Sequence, residues 1–135
     1  MVETTASLRI ISDTLSNDEI TTLLNATPTT TFTKGSLASP RNPRSLRRPA
    51  NVWIIESVLP RDRPLCDHIG ALVQFITDRK DAFAIISKDC RMDMFCGLFT
   101  EAQGGVVLDA AVIRQLANLQ YDVDIVLDIY ACSEG

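Results

Sequence analysis

The chain has 135 residues, 46% hydrophobic and 22% charged, the make-up of an ordinary globular domain large enough to fold without covalent staples. Its apolar runs are too short to span a bilayer, and Met1 to Ser12 lacks the basic start and apolar core of a secretory signal, so a cytoplasmic single domain, residues 1–135, is expected. Net charge is −4 but unevenly placed: no acid lies between Glu19 and Glu56, where Lys34, Arg41, Arg44, Arg47 and Arg48 contribute +5 and leave −9 elsewhere. An acidic body disfavours nucleic acid as a partner, because the phosphate backbone repels it.

In chain order, Ser7 to Ser12 alternates as a short strand. Ser16 and Glu19 then stand three apart as a capping box, Leu15 can staple onto Ile20, and Ile20, Leu23 and Leu24 form the buried stripe of a first helix. Thr29 to Lys34 reads as a polar edge strand ended by Gly35, and Ser36 to Pro49, with its prolines and arginines, as a long loop. Asn51 to Val58 is a strand in which Val52 and Ile54 share one face and Trp53 and Ile55 the other. Leu65 to Arg79 is a second helix with the stripe Leu65, Ile69, Leu72, Val73 and Ile76; His68 sits on its flank and reads as a surface or interface residue. Ala82 to Ser87 and Met92 to Thr100 look like paired strands, and Gly97 in the second signals a bulge or a close backbone contact. A third helix opens at Leu108 and Asp109 with the stripe Val112, Ile113, Leu116 and Ala117.

The strongest pattern comes last. Tyr121, Val123, Ile125, Leu127, Ile129 and Ala131 alternate with Asp122, Asp124, Val126, Asp128, Tyr130 and Cys132, which predicts a strand with an aliphatic and an acidic face. The first and third helices also echo one another at a constant offset of 93 residues, sharing Leu, Ile, Leu and Asn. Read as a repeated, ferredoxin-like strand-helix-strand unit, the order β-α-β-β-α-β-β-α-β predicts an α+β two-layer sandwich: a mostly antiparallel six-stranded sheet with three helices on one face.

Ser7-Leu8-Arg9-Ile10, the capped helix ending in Leu23-Leu24, Phe32-Thr33-Lys34-Gly35, Trp53 with Glu56 and Ser57, and the closing Asp124-Ile125-Val126-Leu127-Asp128-Ile129-Tyr130 together resemble the domain of unknown function family DUF4279. The resemblance covers nearly the whole chain and implies a small bacterial α+β domain, with no assigned activity or catalytic residues to carry over. The family's glycine before the tryptophan is absent here, where Asn51-Val52 precedes Trp53.

No nucleophile elbow, phosphate loop or HExxH motif is present, no cofactor is implied, and the balance falls against an enzyme. Without CxxC spacing and with one histidine, Cys66, Cys90, Cys96 and Cys132 are expected as free thiols and not as zinc ligands. The leading expectation is a non-catalytic protein-binding module, of immunity-inhibitor or accessory type, that binds a protein partner or a second copy. The uncovered sheet face is expected to show Ile11, Tyr130 and its acids with either Trp53 and Ile55 or Val52 and Ile54, and its binding residues are expected to be Ile11, Trp53, Asp124, Asp128 and Tyr130, with Arg41, Arg44, Arg47 and Arg48 in the loop. The alternative is a small-ligand or metal-dependent activity on Asp122, Asp124 and Asp128. The arginine loop and these aspartates are further expected to attract one another, within a chain or across a dimer.

Overall fold

The computed structural model describes residues 2–131. The elements run β1 (Glu3–Ser12), α1 (Asn17–Leu24), β2 (Thr30–Phe32), β3 (Asn51–Glu56), α2 (Leu65–Thr77), α3 (Lys80–Ile86), β4 (Cys90–Thr100), α4 (Ala110–Ala117) and β5 (Asp124–Ala131). The α+β class is as expected, but among the described residues the sheet has five strands and the helices number four. The discrepancy is α3: the stretch read as a strand from Ala82 to Ser87 is helical, with Phe83 N–H donating to the Arg79 carbonyl at 3.0 Å and Ser87 N–H to that of Phe83 at 2.9 Å. Phe83 and Ile86, three apart, are the residues it buries, a helical spacing that a run of six apolar and small residues cannot distinguish from a strand.

The sheet order is β2-β3-β1-β4-β5, antiparallel throughout except for the parallel pair β4-β5. Central β1 is longer than its alternation suggested because Glu3 to Ser12 pairs continuously with Phe99 to Cys90 of β4, so that Thr4 and Ala6 are buried along with Leu8 and Ile10. β3 stops at Glu56 and not Val58: Val58 has φ 54°, a left-handed conformation that a β-branched residue adopts only under steric cost, and it turns the chain out of the sheet. Alternate residues of β1, β3 and β4 then meet the helices in one continuous core that includes Trp53, Leu72, Phe83 and Met94.

The capping box forms, Ser16 Oγ accepting from Glu19 N–H at 3.1 Å and the Glu19 carboxylate from Ser16 N–H at 3.3 Å, and left-handed Asn25 closes α1. Asp109 caps α4 by accepting from Val112 N–H at 2.8 Å. Both echoed units place their two strands parallel, although β3 lies between β1 and β2 while β4 and β5 are adjacent. The stripes do not coincide. Ile20 is fully buried, whereas its counterpart Ile113 is 52% exposed and α4 turns Val112 inward. α4 packs on α2, leaving the outer part of β5 without a helix above it.

Candidate functional site

With the helices on one side, the other side of the sheet is bare. Strand parity and register assign it Phe32 on β2, Val52, Ile54 and Glu56 on β3, Arg9 and Ile11 on β1, Asp93, Phe95 and Phe99 on β4, and Asp124, Val126, Asp128 and Tyr130 on β5. At its centre Arg9 grips Asp93 bidentately, at 2.6 and 2.8 Å, and lies 4.6 Å over the Phe95 ring. At one end Arg61, bonded to Glu3 at 3.1 Å, covers Phe99 at 4.0 Å, and Phe99 stacks on Tyr130 with centroids 4.8 Å apart. A hydrogen bond with Asp128 raises the Tyr130 phenol above its ordinary pKa, so it stays protonated and can donate. Gly97 answers to the close-contact reading: β4 runs through it without interruption, and a Cβ there would meet Thr5 Oγ1 at 2.7 Å.

The expected binding residues divide. Ile11, Asp124, Asp128 and Tyr130 do lie on the bare face. Trp53 does not: it is fully buried under the helices, its indole N–H donating to Thr21 Oγ1 at 3.0 Å, and the bare face takes Val52 and Ile54 instead. The arginine loop is an ordered hairpin arm. Leu37 bridges Arg47, Ala38 N–H bonds the Leu46 carbonyl, and Arg48 N–H bonds that of Ser36. Arg47 donates to the Gly35 carbonyl at 2.8 Å and Arg48 sits 3.7 Å over Phe32, while Arg41 and Arg44 stand exposed near the tip. Since the arm joins β2 to β3 at one edge and the aspartates lie on β5 at the other, four strand spacings or about 19 Å intervene at the sheet. The expected attraction within one chain is therefore overturned. Among the described residues none of the four arginines forms an ion pair.

The aspartate triad also separates. Asp122 precedes β5, and Asp124 and Asp128 are about 13 Å apart along it. Asp122 and Asp124 line a cleft of about 390 Å³ with Asp93, Arg91, Tyr121 and Ile11, but Asp128 is not part of it. Among the described residues no three His, Cys, Asp or Glu side chains converge as a metal site. Cys66, Cys90 and Cys96 are free thiols, burial pushing Cys96 up to about 11, and Cys132 lies outside the described residues.

His68 overturns its reading as a surface residue. It is fully buried in the α2 stripe, with Nδ1 2.6 Å from Ser57 Oγ and, among the described residues, no hydrogen-bond partner for Nε2. Burial, the largest influence, lowers its pKa below the ordinary 6.5. The unfolded chain therefore binds the proton more readily, so stability is intact above pH 6.5 and falls as pH drops below it. Urea midpoints measured against pH should decline more steeply below that value for the natural protein than for His68→Gln; parallel profiles would refute a buried neutral imidazole.

No sequence motif marks Arg9, Asp93, Phe95 and Phe99 as site residues. The alternation of Met92, Met94 and Leu98 with Asp93, Phe95 and Phe99 carried the signal for β4, but Arg9 and Asp93 become partners only through the β1-β4 register.

Compared with known families, the chain matches the model of the domain of unknown function DUF4279 over residues 2–131. The chain belongs to that family. No curated protein and no solved structure gave a match. Membership in DUF4279 accounts for nearly the whole chain and assigns no activity, so function in this DUF4279 chain has to be argued from the surface.

Proposed function

We propose that this domain is a non-catalytic protein-binding module, of immunity-inhibitor or accessory type, that binds through the bare face of its sheet. The observation that supports the reading is the make-up of that face. Ile11, Val52, Ile54, Phe95 and Phe99 are half-buried with no helix over them, and charged groups stand at the two ends: Asp124 and Asp128 on β5, Arg41 and Arg44 on the arm. Apolar and aromatic side chains flanking a neutralised Arg9–Asp93 pair, with charges of opposite sign at the two ends, suit a protein interface, and the separated charges would orient a partner of opposite polarity.

The test is affinity capture from a lysate of the source cells, with the natural domain and surface variants as baits. A discrete partner should be retained by the natural bait and lost with Ile54→Lys, while Arg41→Glu combined with Arg44→Glu should weaken capture most at low salt. Equal capture by Ile54→Lys, or no discrete partner for the natural domain, would defeat the reading. Far-UV circular dichroism and urea midpoints of the baits establish that each is folded.

A further inference from the structure

The two edges of the sheet are built differently. β2, at one edge, has three residues, with Thr30 and Thr31 both exposed, and such a short polar edge resists pairing with another chain. β5, at the other, has eight residues, and no described strand pairs with its outer side. Its register with β4 puts Ile125, Leu127 and Ile129 on the helix side of the sheet, in line with Met94, Cys96 and Leu98. Yet Leu127 is 48% and Ile129 68% exposed, and Ile113 of α4, on the same side, is 52% exposed. Charge, proline and bulges are the usual guards of an edge; here the carboxylates of Asp124 and Asp128 project from the opposite face, so the aliphatic side of the edge is unguarded.

We infer that β5 pairs antiparallel with β5 of a second copy of this chain, about a two-fold axis at Leu127, to give a continuous ten-stranded sheet. A two-fold axis normal to the sheet keeps each residue on its own face, so facing residues must share parity and the axis must pass through a residue position. Through Val126 it would set Asp124 against Asp128 of the second copy. Through Asp128 it would set that carboxylate against itself. Like charges directly opposite one another destabilise a strand pair. An axis through Ile129 gives Asp124, Ile125 and Val126 no partner among the described residues. At Leu127 every conflict disappears. Asp124 faces the uncharged Tyr130, Val126 faces Asp128, Ile125 faces Ile129, and Leu127 faces itself. The exposed aliphatic residues thereby become a cross-strand ladder. This contact uses the edge, and it stands or falls separately from binding at the bare face.

The test is sedimentation equilibrium of the purified full chain over a micromolar concentration series. The natural protein should reach twice the monomer mass at tens of micromolar. Leu127→Lys, which places two ammonium groups together at the axis, should weaken association by at least about 30-fold. Ile54→Lys, on the bare face, should leave it unchanged. The register is tested by a charge pair at one site: Val126→Lys faces Asp128 of the second copy and should preserve or tighten the dimer, whereas Val126→Asp should loosen it. Both variants replace the same half-buried valine, so any shared cost of folding cancels in the comparison. A natural protein that stays monomeric at tens of micromolar, or a Leu127→Lys variant that associates like it, would overturn the dimer; equal association of the two Val126 variants would overturn the register.

Discussion

Trp53→Ala is expected to destabilise the domain by about 3 to 5 kcal/mol, the range for removing a large aromatic side chain from a core that cannot collapse around the void. Trp53 is fully buried between β3 and the helix layer, its ring centroid 6.4 Å from that of Phe75 and its N–H bonded to Thr21. Phe75 packs in turn edge-on against Phe83 at 6.1 Å, so the void would open beneath a chain of aromatic contacts joining β3, α2 and α3. Trp53→Phe retains most of the apolar contact and gives up the hydrogen bond, and it should cost clearly less. Urea denaturation of the two variants measures this. A loss below about 1 kcal/mol for the alanine variant would mean that Trp53 faces solvent and that β3 is inverted in the sheet.

Ile86→Ala should cost about 2 to 5 kcal/mol and Ile85→Ala no more than about 0.5 kcal/mol, because only the first side chain enters the core. Ile86 is fully buried, three residues beyond fully buried Phe83, while Ile85 is 52% exposed. The pair discriminates helix from strand: in a strand Phe83 and Ile85 would share a face and Ile86 would lie opposite. Comparable losses at both positions, or a larger one at Ile85, would restore a sixth strand and remove α3.

The identity of α3 shows where local reading runs out. Ala82 to Ile86 lacks capping residues and is short, so both periods fit it; helical geometry follows from Phe83 and Ile86 having to reach one core where α3 packs against α1 and α2. α1 needed no such help. Ser16, Glu19, Leu15 and Ile20 specify its start through contacts made within a single turn, and those contacts form. β5 is intermediate: its alternation marks a strand and its two faces, but an aliphatic face is buried only where another element covers it. Leu127 and Ile129 are exposed because α4 packs on α2 and not above them, and no property of β5 itself carries that fact.

The same division governs the surface. The sequence by itself determined the α+β class, the caps of α1 and α4, the strand character of β1, β3, β4 and β5, the basic charge of the long loop and the membership that the family match establishes. These depend on neighbours a few residues apart, where spacing translates directly into geometry. Only the tertiary structure decided that Trp53 turns inward and Ile54 outward, that Arg9 meets Asp93 across 84 residues, and that the arginine arm and the aspartates occupy opposite edges. Register and strand order are set by how distant segments bury their apolar faces together, and a one-residue slip would exchange every inward side chain for its neighbour.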